Sequence, residues 1–362
     1  MNLNSKNTIF TYKTNKVKYN RNIIIGKKTI GDGFPPYIIA EMACAHNGSY
    51  DQAKELIRIS KESGADACQL QFFIPESTVT PNHEVFQVLK NIEFSQKQWE
   101  SLFNYGKDIG LEMFVCTYDI PSVLFAINLG VDGIKLNSSD LSNPDILKAV
   151  AKSGIPFTLG TGASSFEEIS KGLIYASENG ANNIVLMHGV QNFPTQNKDL
   201  NISRIELLKD VFKNIPVGYA DHTNGDDEFG RVIDLIALGF GASVFEKHIT
   251  LSRKDKGIDY QAALEPHELK DYVSKIRKGH EAIGSQGLKP LTKSDLKYRK
   301  FQKKSIVANC DLKEGEIITR DKVEFLRNSE PGLAPIDFNL IEKKVLRFNK
   351  KKYANIIQND VK

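Results

Sequence analysis

The stretch GIKLNSSDLSNPDILKAVAKSG, residues 133–154, decides the fold. It begins with the short apolar run GIKL, passes through polar residues, and ends in an amphipathic segment that closes on a glycine. An apolar run followed by apolar residues at helical spacing and a terminal glycine is typical of a buried strand that leads into a helix. The stretch therefore predicts one strand–helix unit.

The same unit recurs about eight times over roughly 250 residues, which is the size and repeat of a (β/α)8 TIM barrel. The apolar runs are continuous rather than alternating, as expected for parallel strands that are covered on both faces. A doubly wound open sheet is the alternative fold, but no glycine-rich phosphate loop follows the first strand. The predicted strands are residues 37–40, 65–73, 111–116, 133–136, 156–160, 182–188, 216–220 and 242–247.

The repeat covers residues 36–285, and the segments on either side of it differ in character. Residues 1–35 are predicted to form an N-terminal extension or cap. Residues 286–302 are polar and rich in lysine, which is typical of a linker. Residues 303–362 contain short β-like runs around a KEGE turn, and they predict a small β-rich second domain.

The composition excludes several classes of protein. The 362 residues include 48 basic and 44 acidic side chains, a balance that does not indicate a nucleic-acid partner. The four cysteines have no CxxC spacing, so we expect reduced thiols. The sequence has no apolar segment of signal-peptide or membrane-spanning length. We therefore expect a cytoplasmic protein with no membrane partner.

Polar residues follow the apolar strands at their carboxyl ends, where TIM barrels carry their chemistry. A single polar residue at a strand end is usually structural, but seven strands that end this way predict a polar binding site at the barrel mouth. We use the word mouth for this carboxyl end. Its candidate residues include Glu41, Gln71, Lys135, Ser138, Thr161, Gln191, His222 and His248.

Two histidines on neighbouring strands are the most specific feature of the predicted mouth. His222 and His248 lie at equivalent depth, so they can share one divalent ion whose other ligands are oxygens. Lys135 with Ser138 suits a phosphate group, and Glu41 can bind hydroxyls or move a proton. Alternation along the last strand places Glu246 on the same side as His248 and turns Lys247 to the opposite side, with no catalytic role.

Several motifs together resemble the sialic acid synthase family, in matching order over nearly the whole chain after about residue 22. The segment 305–327 resembles the antifreeze-like domain at the C-terminus of that family. The barrel motifs are IIAEMACAHNGSYDQAKELI (38–57), GADACQLQ (64–71), GIKLNSSDLSNPDILKAVAKSGIPFTLGTG (133–162), VGYADHT (217–223) and EKHITLSRKDKGIDYQAALEP (246–266).

The resemblance implies a metal-assisted condensation of phosphoenolpyruvate with an N-acylmannosamine-type sugar, giving a nonulosonic acid and phosphate. It implies Mn²⁺ as the metal, with Mg²⁺ or Co²⁺ as alternatives, held by His222 and His248. It also implies a domain-swapped homodimer in which Arg327 reaches the N-acyl group. The catalytic residues are then Glu41, Lys135, His222 and His248, and the substrate-binding residues are Gln71, Ser138, Asp140, Thr161, Gln191, Phe193, Asp259 and Arg327.

The sequence departs from the family pattern at the predicted phosphate site. Gln69 stands where a lysine is usual, and Gly160 and Ala220 stand where serines are usual. Gln191 and Phe193 take the positions of an asparagine and a tyrosine, and the segment after Arg327 is interrupted. Gln69, Gly160 and Ala220 support one alternative, a metal-dependent sugar aldolase that does not use phosphoenolpyruvate. A non-catalytic sugar-binding relative is the other alternative, and the presence of Glu41, Lys135, His222 and His248 argues against it.

Overall fold

A computed structural model describes residues 19–284, 287 and 289–362. The first 18 residues of the predicted N-terminal extension, and positions 285, 286 and 288 around the start of the predicted linker, lie outside the described residues. The chain divides into two compact units, Met1–Gly284 and Ser285–Lys362. In the part that the structure describes, no helix has the length and apolar character needed to cross a membrane.

A short antiparallel hairpin of β1 (Ile23–Ile25) and β2 (Lys28–Ile30) precedes a closed barrel of eight parallel strands. The last strand pairs with both the first and the seventh, so the ring is complete. The predicted TIM barrel is confirmed, and the open-sheet alternative is wrong. The barrel strands are β3 (Tyr37–Glu41), β4 (Ala67–Phe72), β5 (Glu112–Thr117), β6 (Gly133–Leu136), β7 (Phe157–Gly160), β8 (Ile184–His188), β9 (Val217–Asp221) and β10 (Val244–His248).

Helices surround the barrel, and their ends follow local sequence signals. The helix of the opening stretch begins after Asn143, whose side chain accepts a hydrogen bond from the backbone N–H of Ile146, and it ends at Gly154, which has a φ of 72°. A side-chain cap and a left-handed glycine are the usual start and stop of a helix. The helices of this unit are α1 (Tyr50–Ser63), α2 (Pro75–Thr78), α3 (Phe86–Ile92), α4 (Gln96–Asp108), α5 (Ile120–Leu129), α6 (Pro144–Ser153), α7 (Phe166–Glu178), α8 (Arg204–Val211), α9 (Asp234–Gly239) and α10 (Pro266–Ile283).

Two large apolar cores and one small cluster around Cys44, Phe73 and Ile92 are buried in the described part of the barrel unit. The larger core lies between the strands and the helices, and it uses the outward-facing residues of each strand. The smaller core fills the lower barrel interior, where Tyr37, Phe114 and Val244 meet Ile23, Ile25 and Ile30 of the hairpin. Tyr37 and Val244 begin their strands, so the hairpin closes the amino end of the barrel. The hairpin therefore covers the end of the barrel that lies opposite the mouth.

The second unit has its own apolar core around a two-stranded sheet of β11 (Lys304–Ala308) and β12 (Val323–Arg327). Four further antiparallel bridges surround this sheet, so the unit is β-rich as predicted. The predicted linker differs from the structure, because it contains the helix α11 (Lys293–Gln302). None of the side chains of α11 is buried, and a helix without an apolar buried face gives a weak periodic signal.

The hairpin supplies a direct test of the lower core. Ile23 is fully buried, whereas its neighbour Ile24 is 68% exposed. Because Ile23→Ala removes buried methyl groups and leaves a cavity, we expect it to lower the free energy of unfolding by about 2–5 kcal/mol. The control Ile24→Ala should change the free energy of unfolding by less than about 0.5 kcal/mol. Urea denaturation measures both, and equal effects would contradict the assignment of the hairpin to the core.

Candidate active site

Four side chains from four strands meet inside the mouth, and we call them the central cluster: Glu41, Gln69, Lys135 and Glu246. Lys135 Nζ donates to Glu246, and it lies 3.5 Å from Glu41 Oε2. Gln69 Nε2 donates to Glu41, and it lies 3.3 Å from Glu246 Oε2. All four side chains are buried, so one ammonium group serves two carboxylates away from bulk water.

Burial dominates the electrostatics of the central cluster. Burial raises the pKa of Glu41 to about 8, although Lys135 opposes this rise, and the nearby charge of Glu246 adds to it. Burial alone would lower the pKa of Lys135, but the attraction of Glu246 and Glu41 outweighs it and raises that pKa above its usual value. Lys135 is therefore a permanent cation, while Glu41 can gain or lose a proton near neutral pH.

The two predicted metal-binding histidines lie side by side at the mouth, with their ring centroids 5.1 Å apart. His222 Nδ1 lies 2.6 Å from the carbonyl oxygen of Val190, so Nδ1 must donate and Nε2 carries the free lone pair. His248 Nδ1 is buried without a hydrogen-bond partner. Burial lowers the pKa of both rings, which favours the neutral form that a metal requires.

Phe193 and Asp259 complete the surroundings of the histidine pair. The ring centroid of Phe193 lies 4.2 Å from that of His222 and 5.6 Å from that of His248. Asp259 Oδ2 lies 4.0 Å from His248 Nε2 and remains partly exposed. An aromatic ring and a partly exposed carboxylate therefore stand beside the histidines.

The histidine pair fits a divalent cation. Two neutral imidazoles lie close together, and one of them keeps a buried nitrogen that no protein group satisfies. Within residues 19–284, 287 and 289–362, no group of three or more His, Cys, Asp or Glu side chains is arranged to hold a metal. A cation here would therefore take only the two histidines from the protein, and oxygens from water or substrate would have to fill its other positions.

Three more predicted residues lie at the mouth in distinct settings. Gln71 Nε2 lies 3.4 Å from Glu41 Oε1, so it extends the central cluster. Thr161 donates its hydroxyl to the carbonyl of Met187 at 3.0 Å, so this hydroxyl is already used. Ser138 follows β6, and its backbone nitrogen would lie 2.8 Å from a Cβ at Gly160. The close approach of these two loops leaves no room for a serine at position 160.

The remaining predicted residues have surroundings of their own. Asp140 is buried, and it accepts hydrogen bonds from Ser139 and Asn143. Gln191 is exposed, with its side chain against Gly162. Arg327 ends β12 in the second unit and is exposed, and its role in substrate binding stays a prediction.

Glu246 and Gln69 belong to the central cluster, although neither is among the catalytic or substrate-binding residues that the sequence predicts. The sequence places Glu246 on the same side as His248, and the structure shows that it is the direct partner of Lys135. Gln69 was only a departure from a family pattern, yet it bridges both carboxylates. Alternation along β4 and β10 was the available signal, because it turns both residues inward.

Comparison with known proteins places this geometry in one family. The profile of the NeuB family matches residues 56–287. The chain is 31% identical to the N,N'-diacetyllegionaminic acid synthase of Legionella pneumophila, over 90% of this chain and 94% of that protein. It is 32% identical to the human N-acetylneuraminate-9-phosphate synthase, over 88% and 90%. A crystal structure of the N-acetylneuraminic acid synthetase of Leptospira borgpetersenii, in complex with citrate, aligns with a TM-score of 0.72 and 29% identity, over 78% of this chain and 97% of that one.

The raised pKa of Glu41 has a consequence for stability. An ordinary glutamate titrates near pH 4.3, whereas Glu41 in the folded protein titrates at about 8. The folded state holds the extra proton between these values, so this contribution to stability is complete at low pH and is lost as the pH rises through about 8. Glu41→Gln removes the ionisation, and we expect its melting temperature to fall less than that of the wild type between about pH 6 and pH 9.

Thermal unfolding at intervals across this pH range measures the effect of Glu41→Gln. The exposed Glu100→Gln is the matched control, because it makes the same chemical change on the surface of α4. Parallel curves for the wild type and Glu41→Gln would show that Glu41 does not hold a proton in the folded state.

Proposed function

Because the chain belongs to the NeuB family, we propose that it condenses phosphoenolpyruvate with an N-acylmannosamine-type sugar to give a nonulosonic acid and phosphate. The chain is an enzyme of the transferase class. The observation that carries the proposal is the pairing of a permanent cation, Lys135, with a neutral histidine pair and a titratable Glu41 in one buried mouth.

The reaction joins C3 of the enol to the aldehyde carbon of the open-chain sugar. Positive charge develops at C2 of the former enol, and the former aldehyde oxygen takes up a proton to become a hydroxyl. Water adds at C2 with loss of a proton, and the adduct then expels phosphate, which carries away the proton of the C2 hydroxyl and leaves a ketone. Lys135 offsets the negative charge of the phosphate during these steps. Glu41, whose pKa is raised to about 8, can give up its proton and take one back near neutral pH, so it can move a proton during these steps.

His222 and His248 are the residues that would hold a divalent cation, with Mn²⁺ proposed ahead of Mg²⁺ or Co²⁺. A cation bound there supplies Lewis-acid polarisation of the sugar aldehyde oxygen. Val190 fixes the orientation of His222 through its carbonyl, and Phe193 covers the ring face. His222 is therefore oriented by the protein itself.

The acceptor proposed for this chain is an N-acyl amino sugar. Asp259 stands beside His248 and remains partly exposed, which suits a carboxylate that accepts hydroxyl hydrogen bonds. Named relatives make legionaminic acid in one case and a neuraminic acid phosphate in another, so the acyl-sugar differs within the family. A domain-swapped homodimer that brings Arg327 of one chain to the N-acyl group at the other is part of the same proposal.

Phosphate release tests the function. The protein is incubated with phosphoenolpyruvate, Mn²⁺ or Mg²⁺ and a panel of N-acylhexosamines, and inorganic phosphate and the keto acid product are measured. We expect release of phosphate that depends on both the acceptor and the metal. Metal-dependent cleavage of a keto-acid sugar, with neither phosphate release nor phosphoenolpyruvate binding by calorimetry, would favour the aldolase alternative and overturn this proposal.

His248→Ala is expected to abolish metal-dependent turnover while the fold survives. The substitution removes one of the two imidazole ligands that the protein offers to a cation. The single histidine that remains is too few protein ligands to hold the cation in place. Phosphate release and circular dichroism give the two readings. The control is His267→Ala, an exposed histidine on α10 that should keep full activity. Full turnover in His248→Ala would refute the metal assignment.

Gln69→Lys is expected to strengthen phosphoenolpyruvate binding. The substitution adds a second ammonium group beside Glu41 and Glu246, which now share that of Lys135. A hydrogen bond from a charged donor to the phosphate would lower the KM for phosphoenolpyruvate about tenfold. Gln69→Met keeps the length without the charge and serves as the control. Steady-state kinetics compares the two, and equal KM values would show that the phosphate does not reach position 69.

A further inference from the structure

A buried polar network lies on the outer face of β9 and β10, directly behind the histidine pair. Lys247 is 1% exposed, and its ammonium group has three partners: Asp221, Asp234 Oδ2 at 3.2 Å, and the carbonyl of Gly230 at 3.3 Å. Both aspartates are fully buried. Every proton of the lysine therefore has an acceptor, and this network takes no part in the proposed chemistry.

Tyrosine hydroxyls complete the network on both aspartates. Tyr219 donates to Asp221 Oδ1 at 2.9 Å, and Tyr272 of α10 donates to Asp234 Oδ1 at 3.1 Å. Thr223 donates its hydroxyl to Asp221 Oδ2 at 2.7 Å. We call these six residues the anchor network: Tyr219, Asp221, Thr223, Asp234, Lys247 and Tyr272.

The network sits one residue away from each histidine. Asp221 precedes His222 and Lys247 precedes His248, and in a strand successive side chains point to opposite faces. The register of β9 with β10 ends at the pair Asp221–Lys247, so His222 lies beyond the last paired residue of β9. On its other side, His248 is paired with Glu41 of β3. On the side away from β10, the backbone N–H of Thr195 donates to the carbonyl of His222 at 2.7 Å. On the side of β10, no strand pairing continues past Asp221, so the ion pair of Asp221 with Lys247 is the last link between the two strands before the histidines.

From this geometry we propose that Asp221 and Lys247 are positioning residues, whose buried ion pair sets the separation of His222 and His248 and thereby the affinity of the site for a divalent cation. The inference rests on the proposed function, because it concerns the cation that the histidines would hold. Asp234 bonds the same lysine from the helix α9, so it anchors Lys247 to the helix layer without reaching the end of β9.

The two aspartates provide a matched pair of variants. Asp221→Asn removes the charged bond at β9 but leaves Lys247 with Asp234. Asp234→Asn removes the bond to α9 but leaves Lys247 with Asp221. Both variants keep the shape of the side chain, and both leave Lys247 with one aspartate partner. They differ only in which element, β9 or α9, loses its ion pair with Lys247.

The experiment measures Mn²⁺ binding by calorimetry and the visible absorption spectrum of the Co²⁺ form, together with the melting temperature. We expect Asp221→Asn to weaken Mn²⁺ binding about tenfold or more and to change the Co²⁺ spectrum. Asp234→Asn should lose comparable thermal stability while its metal affinity stays within about threefold of the wild type. Lys247→Met should resemble Asp221→Asn in metal affinity.

The contrary outcomes are separable from failure of the proposed function. Equal metal affinity and equal Co²⁺ spectra in the two aspartate variants, with normal metal binding by the wild type, would overturn this inference alone. A wild-type protein that binds none of Mn²⁺, Mg²⁺ or Co²⁺ would overturn both this inference and the metal assignment. If Asp221→Asn does not fold, Tyr219→Phe and Tyr272→Phe replace the two aspartate variants. Each removes one hydroxyl donor from one aspartate, Asp221 or Asp234 respectively. Equal metal affinity in these two variants would again overturn the inference.

Discussion

One lysine shared between two buried carboxylates is the constraint on which the mouth depends. Removing ionised groups from water costs several kcal/mol each, and the cost is recovered only when partners and hydrogen bonds are well placed. Lys135 contacts Glu246 and Glu41, and Gln69 donates to both carboxylates. Breaking a buried pair of this kind typically costs about 3–5 kcal/mol, because a charge is left without a partner. The side chains of four strands are therefore held in one arrangement.

The pleat of the strands divides the ionisable residues into two separate groups. On β10, Glu246 and His248 face the barrel interior, whereas Lys247 faces the helices. On β9, Asp221 faces outward to the same lysine, and His222 turns inward just after the strand ends. The interior group can meet a ligand, while the outer group is closed by protein on all sides. Three consecutive ionisable residues, 246–248, thus serve two different parts of the structure.

The sequence was sufficient to predict the barrel, because the eight apolar runs and the helical periods between them are local signals. It also placed His222 and His248 together, since both follow neighbouring strands at the same depth. Pairings between distant strands were harder to predict: the contact of Lys135 with Glu246 joins residues 111 positions apart. The helix α11 was missed because its side chains are exposed, and local polarity then resembles that of a linker.

Gly160 and Gln69 both depart from the family pattern, and their surroundings give the two departures different physical reasons. Gly160 is a steric requirement, because a Cβ there would lie 2.8 Å from the backbone nitrogen of Ser138. Gln69 is instead an electrostatic change, because an amide replaces a cation beside Glu41 and Glu246. Lys135 is the cation that affects the pKa of Glu41, His222 and Asp259 alike. The two departures therefore differ in kind: the backbone of Ser138 excludes a side chain at position 160, whereas position 69 holds an amide that donates to both glutamates of the central cluster.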